Sequence, residues 1–206
     1  MDYVFFLQLW GGVFLLLNKV FFWRAEYAGE GGDLEESRRW RIAAWAIYIA
    51  GLPPWIIIFF EWHNWIAGIV EASGFPAMFL GLASALQKSE TKKIPVWLDR
   101  LAFICIPFGF LFSIYDFGGF FVLNQWIEAM LALSFLAGTY LLTKENGKGY
   151  LWYIPMHIAC AWLMWIQLYP WLCAQQIASL FFVYKAYVKN RERFVPSIQK
   201  IGYPQR

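Results

Sequence analysis

The chain reads as an all-α integral membrane protein: seven transmembrane helices, arranged as two parallel three-helix units joined by a linker helix. Three observations predict this. The 206 residues are 60% hydrophobic and 15% charged, against about half and about a quarter in soluble domains. The apolar residues fall in blocks of roughly 20, the length that crosses about 30 Å of hydrocarbon. The basic residues gather between alternate blocks, as loops on one side of a bilayer do.

The first block, Tyr3–Trp23, opens with "MDYVFFLQLW". An acid and no base precede its apolar run, the reverse of a cleavable signal. The longest polar stretch follows, from Arg24 to Arg39, with Arg41 at the next block's entry. Lys19 is expected to snorkel toward this same end. The second block (Arg41–Phe60) and third (Trp65–Leu86) meet at "EWHN", a tight turn between antiparallel neighbours. Lys88, Lys92, Lys93 and Arg100 mark the following loop. The fourth block is Leu98–Tyr115. The fifth, Gln125–Thr143, precedes Lys144 and Lys148. The sixth (Tyr150–Gln167) and seventh (Trp171–Tyr187) meet at "LYP". The stretch 188–206 reads as a cytoplasmic tail, and Lys185, Lys189, Arg191, Arg193, Lys200 and Arg206 collect at that end. Every basic residue thus maps to one side. Positive residues mark the cytoplasm, so the N-terminus is expected outside and the C-terminus inside, in a bacterial inner membrane. On the other side stand Asp2, Glu61, Asp116 and Glu128. They read either as solvated rim acids or as an entrance whose field favours cations. Glu128 is expected to reach headgroup water.

Blocks one to three (1–86) and five to seven (125–187) each end in a tight hairpin, with block four (98–115) left over. An odd single span makes two three-helix units parallel. "LQLW" at Leu7–Trp10 opens one unit and "LNQW" at Leu123–Trp126 the other. In block six, Trp162-Leu-Met-Trp165 forms a W-x-x-W pair. With the 3+1+3 layout, it resembles the PnuC-type vitamin transporters, which share the fold of the SWEET-type sugar facilitators. In that group the pair continues to an Asn or Asp, where this chain has Pro170. The resemblance implies transport of a vitamin-like heterocycle such as nicotinamide riboside, thiamine or riboflavin.

Ionisable groups inside a bilayer are costly and gather along pathways. Glu71 is expected roughly 9 Å below the outer end of block three, and His157 roughly 10 Å from the inner end of block six. Each is either interhelical hydrogen-bonding glue or a cavity-lining group. Trp162 and Trp165 share one helix face, with His157 close beside it. A wall of indoles with a few polar groups suits a flat heterocycle; packed or lipid-facing indoles are the alternative. Gln175 shares a stripe with Trp171 and Ser179, and one of Gln175 and Gln176 is expected to face the interior. A transporter needs Glu71, His157, Trp162, Trp165 and Gln175 to converge near the midplane. The Pro-bearing "ASGFPA" next to Glu71 is the most hinge-like segment.

Other classes are disfavoured. Cys105, Cys160 and Cys173 lie inside blocks without C-x-x-C spacing, so neither disulfides nor a metal site are expected. His63 and His157 are too far apart along their helices to share an ion or haem. No nucleotide-binding G-x-x-x-x-G-K-[ST] occurs, and the scattered basic residues do not suit nucleic acid. No catalytic set is visible, so the chain is read as a non-enzyme without a cofactor. The alternative to transport is a structural or accessory subunit, and assembly with itself or with a partner membrane subunit stays open.

Overall fold

The computed structural model describes residues 3–87 and 96–201, the side chains of 96, 98, 99, 102, 103 and 192–201 excepted. Among these residues the chain forms helices and turns and no strand. The elements are α1 (Tyr3–Glu30), α2 (Leu34–Glu61), α3 (Trp65–Ser73), α4 (Phe75–Leu86), α5 (Val96–Phe117), α6 (Leu123–Thr143), α7 (Gly149–Ile166) and α8 (Pro170–Ile201). Asp2, Lys88, Lys92, Lys93 and Arg206 lie outside the described residues, as do the side chains of Arg193 and Lys200.

The expected polar loop 24–39 is instead a helical hairpin. Its Ala, Glu and Arg residues are good helix formers, so α1 and α2 run on past their apolar blocks. The chain reverses at Gly31–Gly32, where Gly32 takes φ +84°, a conformation that favours glycine. Asp33 then caps α2, accepting from the Glu36 N–H at 2.8 Å. The third block is two helices that break at Gly74, with Pro76 in the first turn of α4. Proline suits that position because its missing N–H would have no helical partner. The expected tail continues α8 to Ile201.

Among the described residues four rods are long and apolar enough to cross a membrane: α1, α2, α3 with α4, and α6. α5, α7 and α8 run alongside them. α2 packs against α1, α3 and α4, and α7 packs against α6 and α8. α1 meets α8, and α6 meets α3 and α4, which closes the ring; α5 lies outside it against α3.

Hydrogen bonds identify two poles. At one, the turns meet. Gln167 Nε2 donates to Asn64 Oδ1 at 3.0 Å, Trp62 Nε1 donates to the Tyr169 hydroxyl, and Gln125 Nε2 ties α6 to Ser113 Oγ of α5 at 2.9 Å. His63 and Trp65 contact Asp116 at the end of α5. At the other pole, Glu26 of α1 accepts from Arg41 of α2, Tyr150 of α7 and Asn190 of α8. The turns 31–33 and 144–148, with their basic neighbours, belong to this basic pole.

Two expectations about charge are corrected. Lys19 does not snorkel. Because α1 continues to Glu30, Lys19 sits well inside the bundle and is 3% exposed. Glu128 does not reach headgroup water. It is fully buried, and its Oε2 accepts the N–H groups of Ile66 at 3.0 Å and Ala67 at 3.3 Å. Those are orphan donors at the start of α3, and the carboxyl oxygen satisfies them from outside the helix.

Candidate functional site

All six ring rods contribute to one small cavity. α1 supplies Leu15 and Lys19, α2 supplies Tyr48 and Trp55, α3 supplies Glu71, α6 supplies Leu131, α7 supplies Met156, His157 and Cys160, and α8 supplies Gln176. Its volume is about 10 Å³, roughly what one water molecule needs.

Two tyrosines frame Lys19. Its Nζ lies 4.6 Å from the Tyr48 ring centroid and 4.2 Å from that of Tyr153, a cation–π arrangement. The Tyr153 hydroxyl shares a 2.9 Å hydrogen bond with Thr139 Oγ1, which fixes that ring. Tyr153 also fits into the groove left by Gly138, where a Cβ would come within 2.4 Å of its Cδ1. Across the cavity, His157 Nδ1 hydrogen-bonds Gln176 Oε1. That oxygen can only accept, so Nδ1 carries the proton and the Nε2 lone pair is left over. Nε2 has no protein partner, nor do Glu71 Oε2 and Trp55 Nε1, both on the cavity wall. Buried polar atoms are normally paired, and here three orphan atoms gather around one cavity.

The sequence-predicted residues divide into three groups. Of the five, Glu71 and His157 line the cavity. Gln175 is buried but does not line it; its amide donates to Ser179 Oγ at 2.7 Å on its own helix. Gln176 lines the cavity instead, and both glutamines are buried. Trp162 and Trp165 do not converge with the others: they are 52% and 67% exposed on the outside of α7. At about 100° per residue, Trp162 points roughly 140° and Trp165 roughly 80° away from His157. The expected indole wall is therefore absent from the cavity, and its aromatic lining is Trp55 and Tyr48.

Lys19 was hidden by its proximity to the end of an apolar block that the helix outruns. The available signal was the run of helix formers after it. Among the described residues no group of three or more His, Cys, Asp or Glu could hold a metal ion. What the arrangement can do chemically is hold and pass a proton: a carboxyl, an amine and an imidazole face one cavity. No family model, no curated protein and no solved structure matches the chain.

Proposed function

We propose that the chain is a small seven-span transporter of 3+1+3 layout, moving a vitamin-like aromatic heterocycle with proton coupling through the Lys19–Glu71–His157 centre. One observation carries the reading: titratable groups from both three-helix units meet in a cavity at the junction of those units. In transporters built from repeats, substrate and coupling-ion sites lie near the midplane at the repeat interface. The packing supports the repeat. Exchanging α1, α2 and α3–α4 with α6, α7 and α8 maps each neighbouring pair of ring rods onto another such pair. Lone α5 fits the linker position. The basic pole fits the cytoplasmic side of a bacterial inner membrane, with the N-terminus outside. The heterocycle class rests on the W-x-x-W resemblance alone.

A cavity for one water cannot hold such a cargo, since ligand pockets run to about 300 Å³ and more. On the transport reading, the described state is closed at both poles. The same smallness favours a second reading, an accessory subunit in which the buried polar centre only fixes the helix packing.

Reconstitution into liposomes separates the two. The transport reading expects uptake of nicotinamide riboside, thiamine or riboflavin that responds to a pH gradient. Glu71→Gln is expected to remove that response, and Lys19→Met to remove uptake. Absence of uptake for all three, from protein that elutes as a folded species, would overturn the transport reading.

A further inference from the structure

Three voids lie in series from the basic pole inward. The outermost is an open vestibule of about 550 Å³ flanked by Lys144, Lys148 and Arg191. Behind it is a chamber of about 20 Å³ that contains Glu26, Arg41 and Tyr150. Glu145, Gly147 and Asn190 line both voids and form the wall between them. The chamber extends to Phe22 and Trp45, and the central cavity begins three residues further along the same two helices, at Lys19 and Tyr48.

Glu26 holds this wall in place. Its Oε2 accepts from Asn190 Nδ2 at 3.0 Å. Its Oε1 accepts from Arg41 Nη2 at 3.0 Å and from the Tyr150 hydroxyl at 3.0 Å. One carboxylate of the first unit is thereby tied to both outer helices of the second unit's hairpin, α7 and α8. The wall has no slack: a Cβ on Gly147 would stand 1.6 Å from Asn190 Oδ1.

We infer that this wall is the gate at the basic-pole exit of the pathway and that Asn190 is its latch. The inference rests on the transport reading of the central cavity. Asn190 is the donor that can leave at least cost. A buried charge stripped of its partner is strongly unfavourable. When Asn190 withdraws, Arg41 and Tyr150 still hold Glu26 from the chamber side. Opening then breaks one hydrogen bond to a charged group and no ion pair. It joins the vestibule to the chamber without disturbing the three groups of the central cavity.

The gate is tested by accessibility. Thr143 lines the chamber, so Thr143→Cys is made with Cys105, Cys160 and Cys173 replaced by serine. A membrane-impermeant maleimide is applied to oriented vesicles. Labelling from the basic-pole side should be slow in this parent. Asn190→Ala should raise the rate about ten- to a hundredfold, in line with loss of one hydrogen bond to a charged group. Gly147→Ala should raise it as well, because its methyl displaces Asn190 while leaving Glu26 and its other donors intact. Labelling from the opposite side should not change. Equal rates in the parent and both variants, or equal gains from both sides, would overturn the gate. If uptake is absent but labelling responds as expected, the transport reading falls and the openable wall stands. If uptake is present but labelling does not respond, the gate alone falls.

Discussion

Removing the Glu128 carboxylate should destabilise the protein through the start of α3, far in sequence from the mutation. In Glu128→Ala, the N–H groups of Ile66 and Ala67 lose the Glu128 Oε2 acceptor in a site closed to water. Both bonds, at 3.0 and 3.3 Å, run to the same carboxyl oxygen. Leaving a buried donor without its acceptor costs about 1–3 kcal/mol. The longer bond counts at the low end, and the vacated volume adds a cavity term. A total of about 3–4 kcal/mol is expected. At about 2–4 °C per kcal/mol for a chain of this size, that is a fall in Tm of roughly 6–16 °C. Glu128→Gln keeps an acceptor oxygen and the volume, and should lose less than half as much. The assay is thermal unfolding in detergent followed by circular dichroism, with hydrogen exchange at Ile66 and Ala67 to localise the effect. An alanine variant as stable as the parent would refute the capping role. So would a glutamine variant as unstable as the alanine one.

Three further outcomes are expected. Trp162→Ala and Trp165→Ala should each change stability in detergent by less than about 1 kcal/mol, because both rings lie on the outer face of α7. Trp55→Ala, at 1% exposure, should cost about 3–5 kcal/mol, and chemical unfolding of the three variants compares them directly. Gly138→Ala should cost about 1–3 kcal/mol by driving a methyl into the Tyr153 ring, with Tyr153→Leu in the same background recovering part of the loss in Tm. Asp116, just past the fourth apolar block, has its carboxyl pKa held below the ordinary 3.8 by hydrogen bonds from Trp65 and then His63. A depressed folded-state pKa stabilises above the unfolded value and is lost as pH falls through the folded one. The tie between α5 and the start of α3 should therefore hold above about pH 4 and weaken below it. That transition is read as the part of the tryptophan fluorescence titration that disappears in Trp65→Phe. A titration unchanged by Asp116→Asn would count against it.

The helices were largely legible in the sequence. Apolar blocks near 20 residues, the turns at "EWHN" and "LYP" and the separated basic residues locate the rods to within a few residues at most ends. The exceptions have one cause. Helix propensity continues past the apolar–polar boundary, so α1, α2 and α8 outrun their blocks. That shift of seven residues at the end of α1 turns Lys19 from an interface residue into an interior one. The Gly74 break fell where "ASGFPA" pointed.

The site was less legible, because a helical pattern gives relative angles and not absolute ones. Trp162 and Trp165 share a face by spacing, and His157 stands near them in sequence. Only the packing of α7 against α6 and α8 settles which stripe turns inward. It is the stripe of Tyr153, His157, Cys160 and Met164. Glu26 is the sharpest case. It stands beside Arg24 in a polar stretch, and nothing in its local sequence marks it as interior. Its partners stand 15, 124 and 164 residues away.

By itself, then, the sequence determined the helical class, the rod boundaries near the apolar blocks and the two charge-distinct ends. These follow from local propensity and from the energetic cost of exposing polar groups to hydrocarbon, which act residue by residue. Tertiary structure alone decided which ionisable groups are interior, which partners they take and which aromatic faces turn outward. Those depend on the rotation of each helix against neighbours that are distant in the chain, and no local pattern encodes that angle.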